Sequence, residues 1–259
     1  MRVDESDILE NLNLAELKQA LRDTMHEVRE FNRIVKANSE MLTRQLRIEE
    51  DGPLQLSVDN ARNTRNHAIA ILETAQMLSA RLDLIDLETN PDSFTNEQRI
   101  SVGVFAKFDK ARKMLRTKGR EKRVVVEFSG QSFNKSDLYP VFDIVPFLLL
   151  ENAIKYSPKE SKVVVTFSER PQFIDVFIES LGPLVKDDER NKLTEKNFRG
   201  DCAKAIGIPG TGFGLHFAKF VCDLNQIDLE ISASASSYSV NGVPHAPFKV
   251  ALKVPRGHI

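Results

Sequence analysis

Two short segments of this chain combine residue types that could bind a metal-bound polyphosphate. The first is Glu151–Pro158, with the sequence ENAIKYSP, and it follows the apolar run Val145–Leu150. On a helix, Glu151 and Lys155 lie four residues apart on one face, which is also the spacing of an ordinary surface ion pair. That alternative leaves Asn152 unexplained, because an amide beside a buried run needs polar partners. An amide oxygen is a suitable ligand for Mg²⁺.

The second segment is rich in glycine and precedes a predicted helix. It comprises Gly210, Thr211, Gly212, Phe213, Gly214 and Leu215. Closely spaced glycines let the backbone approach a ligand and adopt positive φ, and the amides at a helix N-terminus favour phosphate oxygens. The segment lacks the Lys-Ser/Thr pair of a Walker loop, and it does not directly follow a strand as a dinucleotide-binding loop does. A tight connection that binds nothing stays open as the alternative.

The elements that must position these segments follow a mixed α/β pattern. Apolar periodicity predicts helices over Phe105–Leu115, within Leu138–Tyr156, and over Gly214–Leu224. Strands are predicted at Val124–Phe128, Val163–Phe167, Ile174–Ile178, Asp228–Ser232 and Phe248–Val254. The second and third of these flank a proline turn and predict an antiparallel hairpin. Residues 186–209 are polar and are predicted to be irregular. A solvated turn is the interpretation for the basic residues Lys118, Arg120, Lys122 and Arg123.

The first 92 residues differ from the rest and predict two long helices joined at Gly52-Pro53. In the first helix an apolar residue recurs every seven positions, at Leu14, Leu21, Val28, Val35 and Leu42. In the second, the apolar seam alternates spacings of three and four, at Ala68, Ile71, Ala75, Leu78, Leu82 and Ile85. A lone hairpin buries little apolar surface, so we expect it to dimerise into a four-helix bundle. We place the boundary between the helical domain, 1–92, and the α/β domain, 93–259, after Asn90-Pro91-Asp92.

Composition excludes several classes of protein. The chain has 259 residues, of which 41% are hydrophobic and 28% charged, and 36 basic residues balance 37 acidic ones. This balance gives no argument for nucleic acid as a partner. The two cysteines fit no metal motif or disulfide framework. No apolar run is long enough for a membrane segment, and the start of the chain is not typical of a signal peptide, so we expect a cytoplasmic protein.

The order of ENAIKYSP, SLGPLV, NFRG and GTGFGL resembles the ATP-binding domain of sensor histidine kinases, in the superfamily shared with gyrase-type ATPases. The resemblance covers residues from about 120 to 259 and implies an α/β sandwich. It implies that Asn152 binds Mg²⁺, that Lys155 contacts phosphate and that Tyr156 lies against the adenine of ATP. Glu151 would act beside the metal or as a general base. The other nucleotide-binding positions that it implies are Ser180, Gly182, Phe198 and the glycine-rich segment from Gly210 to Leu215. Residues 200–209 would form a flexible lid.

Ser180 departs from the family pattern, which has Asp there to bind the adenine amino group. Leu184 likewise stands in place of a glycine. A serine hydroxyl accepts a hydrogen bond more weakly than a carboxylate, and losing the charged acceptor costs about 1–3 kcal/mol. Weaker ATP binding, recognition through water and a changed nucleotide preference are the three open outcomes. Glu179 is a poor substitute, because adjacent residues on a strand face opposite sides.

The segment His26–Phe31 is similar to the phosphoacceptor box that the family carries on its first helix. If Leu21 and Val28 occupy a positions of the heptad, His26 lies at an outward f position. Glu27 could orient the imidazole and accept its proton, which makes the other ring nitrogen a better nucleophile.

Two neighbouring positions depart from the phosphoacceptor pattern. Glu30 and Phe31 stand where family members often have Thr or Asn, and Pro, so we expect weak phosphatase activity and a straighter helix. His67, on the second helix, is the rival acceptor and has no adjacent carboxylate.

We therefore predict a homodimeric histidine kinase that binds Mg-ATP, phosphorylates His26 and passes the phosphoryl group to an aspartate of a receiver-domain partner. The alternative is a degenerate dimeric scaffold that docks a response regulator or a phosphotransfer partner without kinase activity. A third possibility, an ATPase-driven conformational machine, requires hydrolysis of ATP without a phosphoenzyme.

Overall fold

The computed structural model describes residues 28–29, 32–42, 58–89, 98–208 and 212–257. The helices are α1 (residues 32–42), α2 (Val58–Thr89), α3 (Val104–Met114), α4 (Arg116–Lys122), α5 (Ile144–Tyr156), α6 (Asp201–Ala205) and α7 (Gly214–Leu224). The strands are β1 (Ile100–Gly103), β2 (Val125–Ser129), β3 (Lys135–Leu138), β4 (Lys162–Glu169), β5 (Phe173–Pro183), β6 (Asp228–Ala233), β7 (Tyr238–Val240) and β8 (Val243–Pro255). The chain divides into two compact units, Met1–Arg81 and Leu82–Ile259. The predicted boundary at residue 92 lies outside the described residues.

One face of α2 is buried or half-buried in the first unit. Its members recur every three or four residues, as expected for one helix face, and are His67, Ile71, Thr74 and Leu78. Thr74 is only 6% exposed, and its hydroxyl donates to the backbone oxygen of Ala70. The seam prediction is wrong for three residues that are exposed in the single chain, Ala68, Ala75 and Leu82. The buried face instead contains His67 and Thr74, the residues that precede Ala68 and Ala75.

A six-stranded sheet is the centre of the second unit. Its strands run in the order β2-β4-β5-β8-β6, and β7 also pairs with β8. The β2–β4 pair is parallel, and the other pairs are antiparallel. The predicted hairpin of β4 and β5 is confirmed, with Val165 opposite Ile178. A separate antiparallel ribbon joins β1 and β3.

The sheet has one apolar face, which helices cover. Buried residues alternate along β4 and β5, and they are Val163, Val165, Phe167, Ile174, Val176 and Ile178. The helix α5 packs against β5, and α7 packs against β6. From α3, the ring of Phe108 meets that of Phe167 edge-on, with centroids 5.6 Å apart. The predicted fold class, helices followed by a two-layer α/β domain, is confirmed.

The structure corrects the sequence analysis in two regions. Residues 186–209 are not irregular throughout, because they contain a 3-10 helix at Asp187–Lys192 and the short α6. The basic stretch after α3 is not a solvated turn but the helix α4. The strands β1, β3 and β7 were not predicted, because they are only three or four residues long and carry no clear alternation.

Candidate functional site

The last turns of α5 carry the first predicted segment. The preceding run, Val145–Leu150, is buried all round, so the helix is fixed in the core of its unit. Asn152, Lys155 and Tyr156 follow and are half-exposed. The Lys155 ammonium lies 5.3 Å from the centre of the Tyr156 ring, within the range of a cation–π contact. Within the part of the chain that the structure describes, the Asn152 amide makes no hydrogen bond.

Glu151 is buried and is bound by a lysine of α4. Only 7% of the residue is exposed, and Lys118 Nζ donates to its Oε1 at 2.8 Å. A buried carboxylate is tolerated only when it is paired in this way. The contact directs Glu151 toward α4, and its predicted role beside a metal or as a base stays a prediction.

A second lysine of α4 caps the end of α5. Lys122 Nζ donates to the backbone oxygens of Ile154, at 3.0 Å, and of Lys155. The last carbonyls of a helix lack intrahelical partners and favour a cation. Burial, together with the charge of Lys118, lowers the pKa of Lys122 to about 8. The helix α4 thus fixes the turn that presents Lys155 and Tyr156.

The interpretation of Lys118 and Lys122 as solvated residues is therefore wrong. The signal that could have identified them is their spacing, because residues four apart share one face of a helix. Gly119 lies between them and is buried, and a Cβ there would lie 2.9 Å from the backbone oxygen of Val124. Gly119 therefore serves a close packing contact at the end of α4.

Ser180 lies on the face of β5 that the helices cover. It pairs in register with Phe248 of β8, and it shares its face with the buried Ile178 two residues earlier. Glu179 points to the opposite, exposed face, as predicted, and its carboxylate lies 3.3 Å from Lys249 Nζ. The half-buried hydroxyl of Ser180 therefore faces the α5 side of the sheet. Its role in base recognition stays a prediction.

The glycine-rich segment packs directly on the backbone around Phe198. Gly212 has a φ of +81°, and a Cβ at this position would lie 2.7 Å from both the carbonyl carbon of Asn197 and the backbone oxygen of Phe198. Both the dihedral angle and the contact require glycine. Two predicted nucleotide-binding positions, Gly212 and Phe198, are thereby brought together immediately before the N-terminus of α7.

The start of the predicted lid is held by a buried carboxylate. Glu189 is 5% exposed, and it accepts hydrogen bonds from the backbone N–H groups of Lys186, at 3.0 Å, and Asp201, at 2.7 Å. A Cβ on Gly200 would lie 2.9 Å from the same carboxylate. The Lys186 ammonium also pairs with the Asp201 side chain at 2.6 Å. The lid therefore begins at an anchored point and continues as the short helix α6.

The helix α5 contacts both of the other elements that carry the predicted site, α7 and β5. Asn152 at the end of α5, Ser180 on β5 and the glycine segment before α7 therefore lie on packed elements of the second unit. Four predicted residues, His26, Glu27, Gly210 and Thr211, lie outside the described residues.

Comparison with known proteins identifies relatives of one kind. The chain is 31% identical over 103 residues to the phosphate regulon sensor protein PhoR of Pseudomonas aeruginosa, a match that spans 40% of this chain and 23% of PhoR. It is 34% identical over 74 residues to the histidine-protein kinase/phosphatase MprB of Mycobacterium leprae, which spans 28% of this chain and 14% of MprB. The predicted resemblance is confirmed, because the chain is similar in sequence to sensor histidine kinases. No protein-family model matches the chain.

Solved structures of histidine kinases share the fold. Full-length ShkA, in complex with AMPPNP, superposes with a TM-score of 0.53 at 13% identity, over 88% of this chain and 46% of ShkA. The catalytic domain of ThkA superposes with a TM-score of 0.50 at 13% identity, over 62% of this chain and 97% of that domain. The chain spans less than a quarter of the length of the two curated sensor kinases described above. None of the helices in the described residues is long and apolar enough to cross a membrane.

Proposed function

We propose that this protein is a histidine kinase that binds Mg-ATP, transfers the γ-phosphoryl group to His26 and passes it to an aspartate of a receiver domain. The observation that carries the proposal is the arrangement around α5. Its last turns present an amide, an ammonium and a phenol ring, and the adjoining α7 begins just after Gly212, a position that requires glycine. An anionic nucleotide suits this combination of groups.

The phosphate side of the site matches the chemistry of a metal-bound triphosphate. Mg²⁺ takes one or two protein oxygens and completes its shell with phosphate and water. The half-exposed Asn152 amide offers one such oxygen, and no cluster of His, Cys, Asp and Glu able to hold a metal occurs among the described residues. Bound Mg²⁺ would neutralise charge on the phosphates. Lys155 would hold a phosphate oxygen, and the N-terminal amides of α7 would add further donors.

The base side of the site is less polar than in the family pattern. Tyr156 supplies a half-exposed ring against which adenine could lie, and Ser180 supplies a neutral acceptor. A neutral hydroxyl binds an amino group less strongly than a carboxylate does. We therefore propose that the protein binds ATP more weakly than a kinase with aspartate at this position.

The proposed phosphoryl transfer uses the hairpin domain of a dimer. His26 would attack the γ-phosphorus with one ring nitrogen, while Glu27 holds the proton of the other. Dimerisation is supported by a row of exposed residues on α2 at spacings of four and three, Ala68, Leu72 and Ala75. Leu72 is 58% exposed in the single chain, which is costly for a leucine that stays in water. A second hairpin packed on this row would complete a four-helix bundle.

Incubation of the full chain with γ-labelled ATP and Mg²⁺ tests this function. We expect a label on the protein that is labile in acid and stable in base, and that is lost in His26→Ala. Asn152→Ala should also abolish labelling. The control is nucleotide binding by His26→Ala, which should match the wild type in calorimetry. A wild-type protein that binds no Mg-ATP at millimolar concentration contradicts the proposal.

A further inference from the structure

The first unit contains a histidine whose ring is oriented by a side chain of α1. Nδ1 of His67, on α2, lies 2.8 Å from Asn38 Oδ1. The Asn38 amide nitrogen donates to the backbone oxygen of Ile34 at 2.9 Å, which fixes the orientation of the amide and leaves its oxygen toward the imidazole. Nδ1 of His67 must then carry a proton, so Nε2 is the nitrogen that bears the lone pair in the neutral ring.

The geometry of the ring makes that lone pair available. The two nitrogens of an imidazole point in nearly opposite directions, so Nε2 of His67 faces away from Asn38. The residue is half-buried rather than enclosed. An imidazole whose Nδ1–H is held by an acceptor is a stronger nucleophile at Nε2, because the acceptor stabilises the positive charge that develops on the ring.

The charges near the pair favour an anionic reaction partner. Within two helical turns of either residue, the described cations are Arg33, Lys36, Arg62 and Arg65, and the acids are Glu40 and Glu73. Among these described residues the excess is positive, and positive charge raises the local concentration of phosphate-bearing donors.

The other described histidines differ from His67 in their surroundings. His245 is 4% exposed and is enclosed in its unit. His216 is half-buried and its Nδ1 lies 3.0 Å from the backbone oxygen of Thr194, but its ring packs against Phe217 with centroids 5.5 Å apart. His216 is therefore a reference with a similarly held Nδ1 but with a ring packed against an aromatic side chain.

We propose that His67 is a phosphoryl-accepting residue, with Nε2 as the nucleophile and Asn38 as a positioning residue. In this step a bond forms from Nε2 to phosphorus, and the bond from phosphorus to the leaving group breaks with its electron pair on the leaving group. The Nδ1 proton stays on the ring, hydrogen-bonded to Asn38 Oδ1, until water removes it.

Two donors can supply the phosphoryl group. With ATP the leaving group is ADP, and this route rests on the proposed function. With phosphoramidate the leaving group is ammonia, and no nucleotide site is needed. The two donors therefore separate the reactivity of His67 from the activity of the ATP-binding domain.

The test treats the full chain with potassium phosphoramidate and maps phosphohistidine by mass spectrometry at neutral pH. We expect His67 to react at least about tenfold faster than His216, because the ring of His216 is packed against Phe217. Phosphorus NMR should assign the product to Nε2. Asn38→Ala should slow the reaction by about fivefold, the effect of one hydrogen bond on a rate, and should yield a mixture of Nδ1 and Nε2 products. Asn38→Asp, which keeps an acceptor, should restore the rate and the Nε2 product.

The outcomes distinguish this proposal from the proposed function. No phosphate on His67, or a rate no greater than that of His216, overturns the proposal even if Mg-ATP labels His26. An unchanged rate and product in Asn38→Ala overturns the positioning role. Phosphate on His67 from phosphoramidate, without any label from Mg-ATP, supports the proposal and contradicts the kinase function. Circular dichroism of each variant shows whether the hairpin remains helical.

Discussion

In the proposed site, the affinity for the nucleotide base would depend most directly on Ser180. Its hydroxyl lies on the helix-covered face of β5, opposite Phe248 in the sheet register. The position is half-buried, so a hydrogen bond made there is stronger than one in bulk water. A charged acceptor at the same point would bind an adenine amino group more tightly without any change in the backbone.

We predict that Ser180→Asp increases the affinity for Mg-ATP. A charge-assisted hydrogen bond adds about 1–3 kcal/mol, so Kd should fall by about 5- to 150-fold. Calorimetric titration with Mg-ATP measures the change. Ser180→Asn, which has a similar size but no charge, is the control and should gain much less. Equal affinity in the wild type and Ser180→Asp would show that this position does not contact the base.

A Cβ added at Gly212 would push the glycine-rich segment away from the backbone around Phe198. A methyl group there would meet the backbone around Phe198 at 2.7 Å, where no flexible side chain can move aside. We predict that Gly212→Ala lowers the free energy of unfolding by about 1–3 kcal/mol through the clash and the strained φ, and that it weakens nucleotide binding. Urea denaturation and nucleotide titration measure the two effects.

A matched control separates the clash from the strain. Gly242, between β7 and β8, has the same φ of +81° as Gly212, but a Cβ there meets nothing within 4 Å. Gly242→Ala should therefore carry only the conformational cost, about 1 kcal/mol, and should leave nucleotide binding unchanged. If both variants behave alike, the contact with Phe198 does not shape the site.

At the scale of elements, α4 determines where the last turn of α5 lies. Lys122 reaches the final carbonyls of α5, and burial together with the charge of Lys118 lowers its pKa to about 8 from an ordinary 10.5. Between these values the folded chain has released the Lys122 proton while the unfolded chain still holds it. The unfolded state then binds more protons, so the contribution of Lys122 to the free energy of unfolding rises with pH in this window.

We predict that the wild type gains stability relative to Lys122→Met between pH 7.5 and 9.5. The gain should be about 1 kcal/mol, since half of the side chain stays in water and solvent screens the effect. Urea denaturation at both pH values measures it. Lys122→Arg keeps the donors and the charge but does not titrate in this range. The wild type should therefore gain stability relative to this variant as well. If the difference in the free energy of unfolding between the wild type and Lys122→Met stays constant with pH, the lowered pKa of Lys122 is contradicted.

The elements also show which features a sequence pattern can predict. The apolar run Val145–Leu150 predicts a buried helix, and this helix is α5. Helix geometry alone then places Asn152 and Lys155, which follow the run. The strand β8 is longer than predicted. Pro244 and Pro247 suggest a break in the sequence pattern, but β5 is long enough to pair with β8 as far as His245. The roles of Lys118 and Glu189 depend on partners distant in sequence, and periodicity carries no information about such contacts.

At the scale of the whole molecule, the proposed dimer depends on the exposed row on α2. Ala68, Leu72 and Ala75 leave one side of the helix apolar in the single chain. The small alanines allow close approach of another helix, and Leu72 supplies most of the apolar area.

We predict that Leu72→Lys weakens the homodimer by at least about tenfold, because each copy loses a buried leucine and gains a charge at the interface. Sedimentation velocity across micromolar concentrations measures the shift toward monomer. Folding should be unaffected, since the residue is 58% exposed in the single chain. Val125→Lys places the same charge at a site 53% exposed in the other unit and should leave the dimer intact. If the wild type sediments as a monomer, this dimer does not form. If Leu72→Lys dimerises as tightly as the wild type, the interface lies elsewhere. The hairpin would then have to present its histidines to an ATP-binding domain of the same chain.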